Sequence, residues 1–292
     1  MNVALFGKSI ASHDAPFIQV FLDRLASTGD RVFIYDAFYQ SIKTSVTFPV
    51  PPVVYSTQAE VTGHIDYLFS IGGDGTLLDT ITLVGNSGIP VIGINMGRLG
   101  FLSTISKEEI VPALEQIRQK KYFIDQRTLL RLTTPNQLFA NFNYALNDLS
   151  VYKIMPNSML AISVYIDKEF LNTYWADGLI VATPTGSTAY SLSCTGPIIT
   201  PHSRNFVITP IASHNLTVRP IVIPDDSTIR IKVEGRGINF FVGLDSRIET
   251  IENSIELTVN KEDFRINLLR MSDNNFFKTI REKLKWGLDI RN

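Results

Sequence analysis

Three short segments hold the residue types that polar and phosphoryl chemistry needs. The most compact is Gly72-Gly73-Asp74-Gly75-Thr76, which directly follows the apolar run Tyr67 to Ile71 and opens a segment whose Leu77, Leu78 and Ile81 have helical spacing. Three glycines let a backbone turn sharply and approach a ligand closely. A helix starting there would offer unpaired amides and the positive end of its dipole to phosphate. A carboxylate in such a turn repels phosphate, so Asp74 needs a reason to be there: accepting a proton from a hydroxyl, holding a metal ion, or capping the helix. A plain strand-to-helix turn with an aspartate cap would use the same residues, and the doubled glycine with the Thr76 hydroxyl favours phosphate binding.

The second segment runs from Asp177 to Pro197 and reads DGLIVATPTGSTAYSLSCTGP, an apolar strand at Leu179 to Val181 followed by a run of small hydroxyl residues. If enclosed, Thr183, Thr185, Ser187, Thr188, Ser191 and Ser193 need hydrogen-bond partners, which a polar ligand or the amino end of a short helix would supply. Ala189, Tyr190 and Leu192 would be wasted on a solvated loop, so the pattern predicts a packed, ligand-facing turn. The third is Asn147-Asp148, after the strand-like Phe142 to Leu146. There an amide could read a base or amide edge and a carboxylate a pair of ribose hydroxyls, although Asn-Asp alone is more often a turn.

Other candidates carry less. Gly7-Lys8-Ser9 ends like a phosphate-binding Walker loop, but Asn2 stands where the earlier glycine is required. His13, His64, His202 and His214 have no metal-ligand spacing with Cys194, the one cysteine, so a zinc site is not expected. Cys194 reads as a packing residue, since one thiol without a paired base is a weak nucleophile.

The elements that must position these residues follow from periodicity. Val3 to Phe6, a helical stripe of Phe17, Val20, Phe21 and Leu25, then Val32 to Tyr35 give a βαβ rhythm, continued by Tyr67 to Ile71, the glycine turn, a helix and Val91 to Ile94. That order predicts parallel strands with helical crossovers. Ser106 and Glu109 have capping-box spacing ahead of Ile110, Leu114 and Ile117. Beyond this helix, alternating β-branched and aromatic segments dominate: Leu160 to Ile166, Ile221 to Ile223, Ile229 to Val233, Ile255 to Val259. Phe276, Phe277, Ile280 and Leu284 return to helical spacing. The expectation is α/β plus all-β: a Rossmann-like α/β domain over 1–125, a β-rich, sandwich-like domain over 126–270, and a terminal helix over 271–292 returning to the first domain. With 292 residues, 45% hydrophobic content and 27 basic against 28 acidic side chains, two globular domains without a charge bias are expected. No nucleic-acid partner, membrane span or secretory leader is predicted, and the default location is the cytoplasm.

In combination these segments resemble the NAD kinase family. The resemblance rests on GGDGT at Gly72 to Thr76, NMGRLGFL from Asn95 to Leu102, the Asn147-Asp148 pair, Asp177 to Pro197, and Pro210 to Pro220 with His214 and Arg219, in family order across most of the chain. GGDGT is shared with lipid kinases, whereas TPTGSTAYSLS is far more specific. The resemblance implies an α/β nucleotide-binding first domain and a β-rich second one. It also implies a homodimer or homotetramer, and phosphorylation of the adenosine-ribose 2'-hydroxyl of NAD by ATP or another donor with a divalent cation, Mg2+ or Mn2+. It assigns Asp74 as the general base with Gly75 beside it, Gly72, Gly73 and Thr76 to the same turn, and NAD contacts to Asn147, Asp148, Asp177, Thr188, Ala189, Tyr190, Ser191, Leu192, Ser193 and Ala212. Several positions depart from the family pattern. Asp148 stands where glutamate is common, and Cys194 and Thr195 where small residues are. Arg247, after Asp245 and Ser246, stands where glutamine is common; it is counted with the substrate-binding residues, and its charge could reach a phosphate instead. A lipid or polyol kinase built on the same turn, and a non-catalytic NAD(P) sensor, are the competing readings.

Overall fold

The computed structural model describes residues 1–154, 159–234, 239–252, 254–271 and 275–287. Its contacts divide into two compact units, Met1–Gln126 with Ile266–Asn292, and Arg127–Arg265.

In the first unit the chain alternates β1 (Asn2–Gly7), α1 (Ala15–Ser27), β2 (Arg31–Tyr35), α2 (Asp36–Ile42), β3 (Val53–Tyr55), α3 (Gln58–Val61), β4 (Tyr67–Ile71), α4 (Asp74–Val84), β5 (Val91–Asn95), β6 (Ile105–Ser106) and α5 (Ile110–Arg118). The strands are parallel in the order β3-β2-β1-β4-β5, as short apolar runs joined by helical crossovers require. One detail differs from the sequence reading. The buried stripe of α1 is Ile18, Phe21, Leu22 and Leu25, while Val20 is 54% exposed. At about 100° per residue Val20 lies nearly opposite Leu22, so only the i, i+3, i+4, i+7 set starting at Ile18 forms one arc. The Ser106–Glu109 capping box is present and leads through a short 3-10 turn into α5, whose Ile110, Leu114 and Ile117 are buried. These side chains join Val3, Leu5, Phe21, Phe69, Ile92 and Ile94 in a single core.

The second unit is antiparallel. It contains β7 (Tyr122–Thr133, shared across the boundary), β8 (Tyr144–Ala145), β9 (Asp148–Lys153), β10 (Leu160–Ile166), β11 (Glu169–Ala176), β12 (Gly178–Ala182), the single-turn α6 (Tyr190–Ser193), β13 (Asn205–Ile211), β14 (Ile221–Pro224), β15 (Ile229–Glu234), β16 (Phe240–Leu244), β17 (Arg247–Ile251) and β18 (Ile255–Met271). One sheet has the order β14-β13-β12-β9-β16-β17, and the other includes β11-β10-β15-β18. Alternate residues of both, Leu149, Val151, Leu179, Val181, Phe206, Ile208, Val242 and Leu244 against Ile162, Val164, Ile229, Ile231, Leu257 and Val259, share one core. This is the inward alternation of a β-sandwich. The expected strand from Phe142 to Leu146 is reduced to Tyr144–Ala145, preceded by a 3-10 turn at Ala140–Phe142. Phe139 and Ala140 take left-handed φ values of 61° and 47°, which breaks the extended conformation. β18 continues past the apolar run at Ile255 to Val259 and carries the chain back to the first unit, where Leu268 pairs in parallel with Val91 of β5. The terminal helix α7 (Phe276–Leu284) belongs to that unit, with Asn275 capping it by accepting from the Phe277 amide at 2.9 Å.

Candidate functional site

The glycine turn sits where the sheet order reverses. β1 and β4 are neighbours whose crossovers leave in opposite directions, and their last paired residues are Gly7 and Ile71, immediately before Gly72. Open parallel sheets bind ligands at the carboxyl ends of strands flanking such a reversal. Gly72 is required by the fold, because its φ is +152° and a Cβ there would lie 2.3 Å from the Thr76 hydroxyl. Gly73 and Gly75 are different: a Cβ on either would meet no atom within 4 Å. Among the described residues nothing demands glycine at those two positions, which leaves space for something that approaches the backbone from outside.

Asp74 does something the sequence reading did not anticipate. It is the first residue of α4, yet its side chain does not cap that helix. Instead Oδ2 accepts the Phe101 amide at 2.7 Å, and Oδ1 accepts the amides of Leu102 and Ser103 at 3.1 and 2.8 Å. Three of roughly four acceptor positions of the carboxylate are thus used by one loop. Gly100 makes this approach possible, since a Cβ there would sit 1.8 Å from Oδ1. From the other side, Arg270 donates to the carbonyl of Leu102 at 2.6 Å and to that of Phe101 at 3.3 Å. The NMGRLGFL stretch is therefore the partner of the glycine-turn aspartate, gripped at its amides by Asp74 and at its carbonyls by Arg270.

In the second unit the candidate residues lie along the outer face of the β14-to-β17 sheet. Pairing of Asp148 with Ala182, and the amide of Asp177 with the Ile211 carbonyl, puts Asn147 and Asp148 at one end of β12 and Asp177 with Ala212 at the other. Five residues of strand separate the two ends by about 17 Å. Between them α6 covers the outer face, where Ile180, Ala182 and Val207 pack against Cys194, Ile199 and Ile211. Cys194 packs there, and burial pushes its thiol up. Asp177 forms an ion pair with Lys153 at 2.5 Å.

Within the second segment the structure separates hydroxyls that serve the fold from those that face outward. Thr183 donates to the Leu146 carbonyl at 2.5 Å, Ser187 to that of Pro184 at 2.7 Å, and Ser191 shares a hydrogen bond with Thr209 at 2.8 Å. Thr185 accepts from Arg127 at 3.1 Å. These four side chains are buried and find their partners within the protein, so of the six hydroxyls in the run only Thr188 and Ser193 are left partly or fully exposed. Ser191 in particular is fully buried, whereas Ser193 and Tyr190 are exposed and Thr188, Ala189 and Leu192 are half-buried.

Asp148 is a strongly perturbed acid. It is 7% exposed, and burial, followed by the neighbouring charge of Asp245, pushes its carboxyl up to about 7. Asp245, in the β16–β17 turn, accepts the amides of Leu146, Asn147 and Asp148 at 2.8, 2.7 and 3.3 Å. Burial raises it too, against the opposing pull of those amides and of Arg247. Arg247 donates to the carbonyls of Phe142 and Tyr144, which places its guanidinium on backbone. Gly186 completes the edge, because a Cβ there would lie 2.1 Å from the Asn147 carbonyl oxygen.

Sequence reasoning missed Asp245 as an anchor, the amides of Phe101 to Ser103, and Lys153. The loop was marked as a segment by NMGRLGFL, and Gly100 within it is the residue that admits the Asp74 carboxylate; nothing in the sequence marks Lys153 as the partner of Asp177.

The parallel sheet with its glycine turn at the reversal point, joined to a β-sandwich with a polar outer edge, defines an α/β protein of the nucleotide-binding type carrying a second, β-rich unit. Residues 34–122 match the ATP-NAD kinase N-terminal domain and residues 146–270 the ATP-NAD kinase C-terminal domain. The chain is 43% identical over 293 aligned residues to the NAD kinase of Cytophaga hutchinsonii and 40% identical over 291 to that of Bacteroides fragilis, in each case covering all of both chains. Among solved structures it resembles yeast NADH kinase complexed with NADH, with a TM-score of 0.88, 26% identity, and coverage of 100% of this chain and 89% of that one. The fold of an NAD kinase from Archaeoglobus fulgidus in complex with ATP is also similar, with a TM-score of 0.74 and 22% identity over 98% of this chain and 99% of that one. The chain belongs to the NAD kinase family.

Proposed function

We infer that this protein moves the terminal phosphoryl group of ATP onto the adenosine-ribose 2'-hydroxyl of NAD, giving NADP and ADP. Family membership over the whole chain makes it an ATP-dependent NAD kinase, a phosphotransferase with an alcohol acceptor. The observation that carries the reading for this chain is the glycine turn at the sheet reversal, where Gly73 and Gly75 stand open for no internal reason.

Each residue has a task in this reading. The turn amides and the amino end of α4 receive donor phosphate. The ribose oxygen attacks the terminal phosphorus as the bond from that phosphorus to the bridging oxygen breaks, and ADP leaves with the electron pair. The hydroxyl proton passes to Asp74 Oδ2, which accepts one amide where Oδ1 accepts two. The loop amides hold that carboxylate still. Asn147, ionised Asp148, Asp177, Ala212 and the exposed part of the Thr188 to Ser193 turn bind NAD; Ser191 supports that turn from below through Thr209. Arg247 acts on the backbone it holds.

Among the described residues no group of three or more His, Cys, Asp or Glu side chains could cage a metal ion. Mg2+ or Mn2+ needs no such cage, since it is usually held by one or two carboxylates together with substrate phosphates, and it would enter with the donor. No helix among the described residues is long and apolar enough to cross a membrane; the cytoplasm is the location proposed. A homodimer or homotetramer is the assembly proposed from the resemblance.

The test is incubation with ATP, magnesium and NAD followed by an assay specific for NADP, with Asp74→Asn alongside. NADP formation by the parent, lost in the variant while NAD still binds, is the expected result. Phosphorylation of a lipid or polyol in place of NAD, or NAD binding without turnover, would replace the reading by one of its two rivals.

A further inference from the structure

Residues 139–147, which lead into the NAD-binding pair, have little regular structure of their own. Only Tyr144 and Ala145 pair with another strand, and Phe139 and Ala140 are left-handed. A segment of this kind wanders unless side chains tie its backbone groups down. Glu249, Leu132 and Thr183 each hold one or two of its groups, and a two-residue reach holds five more, counting the Asp148 amide. Asp245, itself left-handed at φ 54°, sits in the turn after β16 and takes the three consecutive amides of Leu146, Asn147 and Asp148 on its carboxylate, while its own amide donates to the Asp148 carbonyl at 3.1 Å. Two residues on, Arg247 donates to the carbonyls of Phe142 and Tyr144, and its guanidinium lies 5.9 Å from the centre of the Phe139 ring. The anion grips the amide end of the segment and the cation its carbonyl end, each matched to the dipoles it meets. The two ends cannot be exchanged.

We propose that Asp245 and Arg247 are the positioning residues of NAD recognition: together they clamp residues 142–148 so that Asn147 and Asp148 are held in one orientation toward the dinucleotide, and neither touches it. The inference rests on the functional reading above and assigns Arg247 a backbone contact in place of a phosphate. It accounts for both charges. Glu249 accepts the Phe139 amide and Leu132 exchanges hydrogen bonds with Asn143, but Asp245 alone would leave the Phe142 and Tyr144 carbonyls without their guanidinium donor, and Arg247 alone would leave three consecutive amides without an acceptor beside a buried carboxylate. Burial raises the Asp148 carboxyl first, and the charge of Asp245 beside it raises it further, so the clamp also bears on the charge state in which Asp148 meets the ribose hydroxyls.

The experiment compares the full-length parent with Asp245→Asn and Arg247→Lys. Asparagine keeps the shape but offers one acceptor oxygen where there were two. Lysine keeps the charge but as a point donor that cannot bridge two carbonyls. Steady-state kinetics with NAD and ATP varied separately, NAD binding by calorimetry without ATP, and thermal melts are recorded for all three. Expected is a rise in KM and Kd for NAD of about tenfold in Asp245→Asn and about three- to tenfold in Arg247→Lys, with KM for ATP unchanged. In Asp245→Asn the acid limb of kcat/KM for NAD moves to lower pH, a change that general loosening of the fold does not produce. Should Asp245→Asn fail to fold, Arg247→Lys alone decides through its NAD-to-ATP split. Parental KM and Kd for NAD in the folded variants overturn the inference, as does an equal loss for both substrates. A parent that binds NAD but forms no NADP overturns the functional reading and leaves the clamp to be judged by Kd; a parent that does not bind NAD overturns both.

Discussion

Replacing Asp148 by asparagine should make the ligand-free protein more stable at pH 8, and by an amount that depends on pH. Asp148 titrates at about 7 in the folded chain against an ordinary 3.8, because burial and then Asp245 disfavour its charge. Below pH 3.8 the carboxyl is neutral in both folded and unfolded chains. Between about 4 and 7 the folded chain keeps a proton that the unfolded chain has released, so stability falls as pH rises through that window and is level above it. At about 1.4 kcal/mol per pKa unit, three units give a ceiling of about 4 kcal/mol. Asparagine has the same outline and no charge, so Asp148→Asn escapes this penalty while losing ribose recognition. Melting temperatures of parent and variant without ligand, measured at pH 4.5, 6 and 8, should diverge progressively, at about 2–4 °C per kcal/mol. Any fixed cost of the amide is the same at every pH and drops out of the comparison. A difference that stays constant from pH 4.5 to 8, or grows in favour of the parent, would refute the claim that Asp148 is held against its preferred charge state. The corresponding functional outcome is a KM for NAD that rises as pH drops below about 7 in the parent alone.

Three further substitutions separate fold from site. Gly73→Ala should melt within about 1 °C of the parent, since the added Cβ meets nothing, yet lose most NADP formation if phosphate approaches there; full activity would remove the open glycine from the argument. Gly100→Ala drives a Cβ to 1.8 Å from Asp74 Oδ1 and must displace the loop. With charge-assisted amide bonds contributing about 1.5–3 kcal/mol each, kcat should fall about 10- to 100-fold although Asp74 is intact, and unchanged kcat would show that the loop anchor is dispensable. Ser191→Ala leaves the buried Thr209 hydroxyl without its partner, so a loss of about 1–3 kcal/mol in denaturant melts is expected with a nearly parental kcat; a large kcat loss at parental stability would return Ser191 to direct contact with NAD.

Much of the architecture could be read before any coordinates. Apolar runs at Val3, Val32, Tyr67 and Val91 are buried parallel strands because strands covered on both faces need unbroken apolar sequence. The alternation in Leu160 to Ile166 and Ile229 to Val233 is a sandwich pattern because only one face meets the core. Val20 is exposed although it shares a helical spacing with Phe17, because several helical arcs share some of the same apolar residues and only the neighbouring sheet selects among them.

The candidate residues were visible by type and order, while their duties were not. Local sequence fixes what depends on short range: the glycine turn between β4 and α4, the capping box at Ser106, and the chemistry available at Asp74, Asn147 and Asp148. Tertiary structure decided which partner each buried polar group found, because that depends on residues far away in the chain. Asp74 reaches amides 27 to 29 residues on, Asp245 reaches back 97 to 99, and Ser191 is claimed by Thr209. Hydrogen bonds act over about 3 Å of space whatever the separation in sequence, so the side chains can be named from the sequence, but which of them hold the backbone and which remain for a ligand is set only when the sheets have formed.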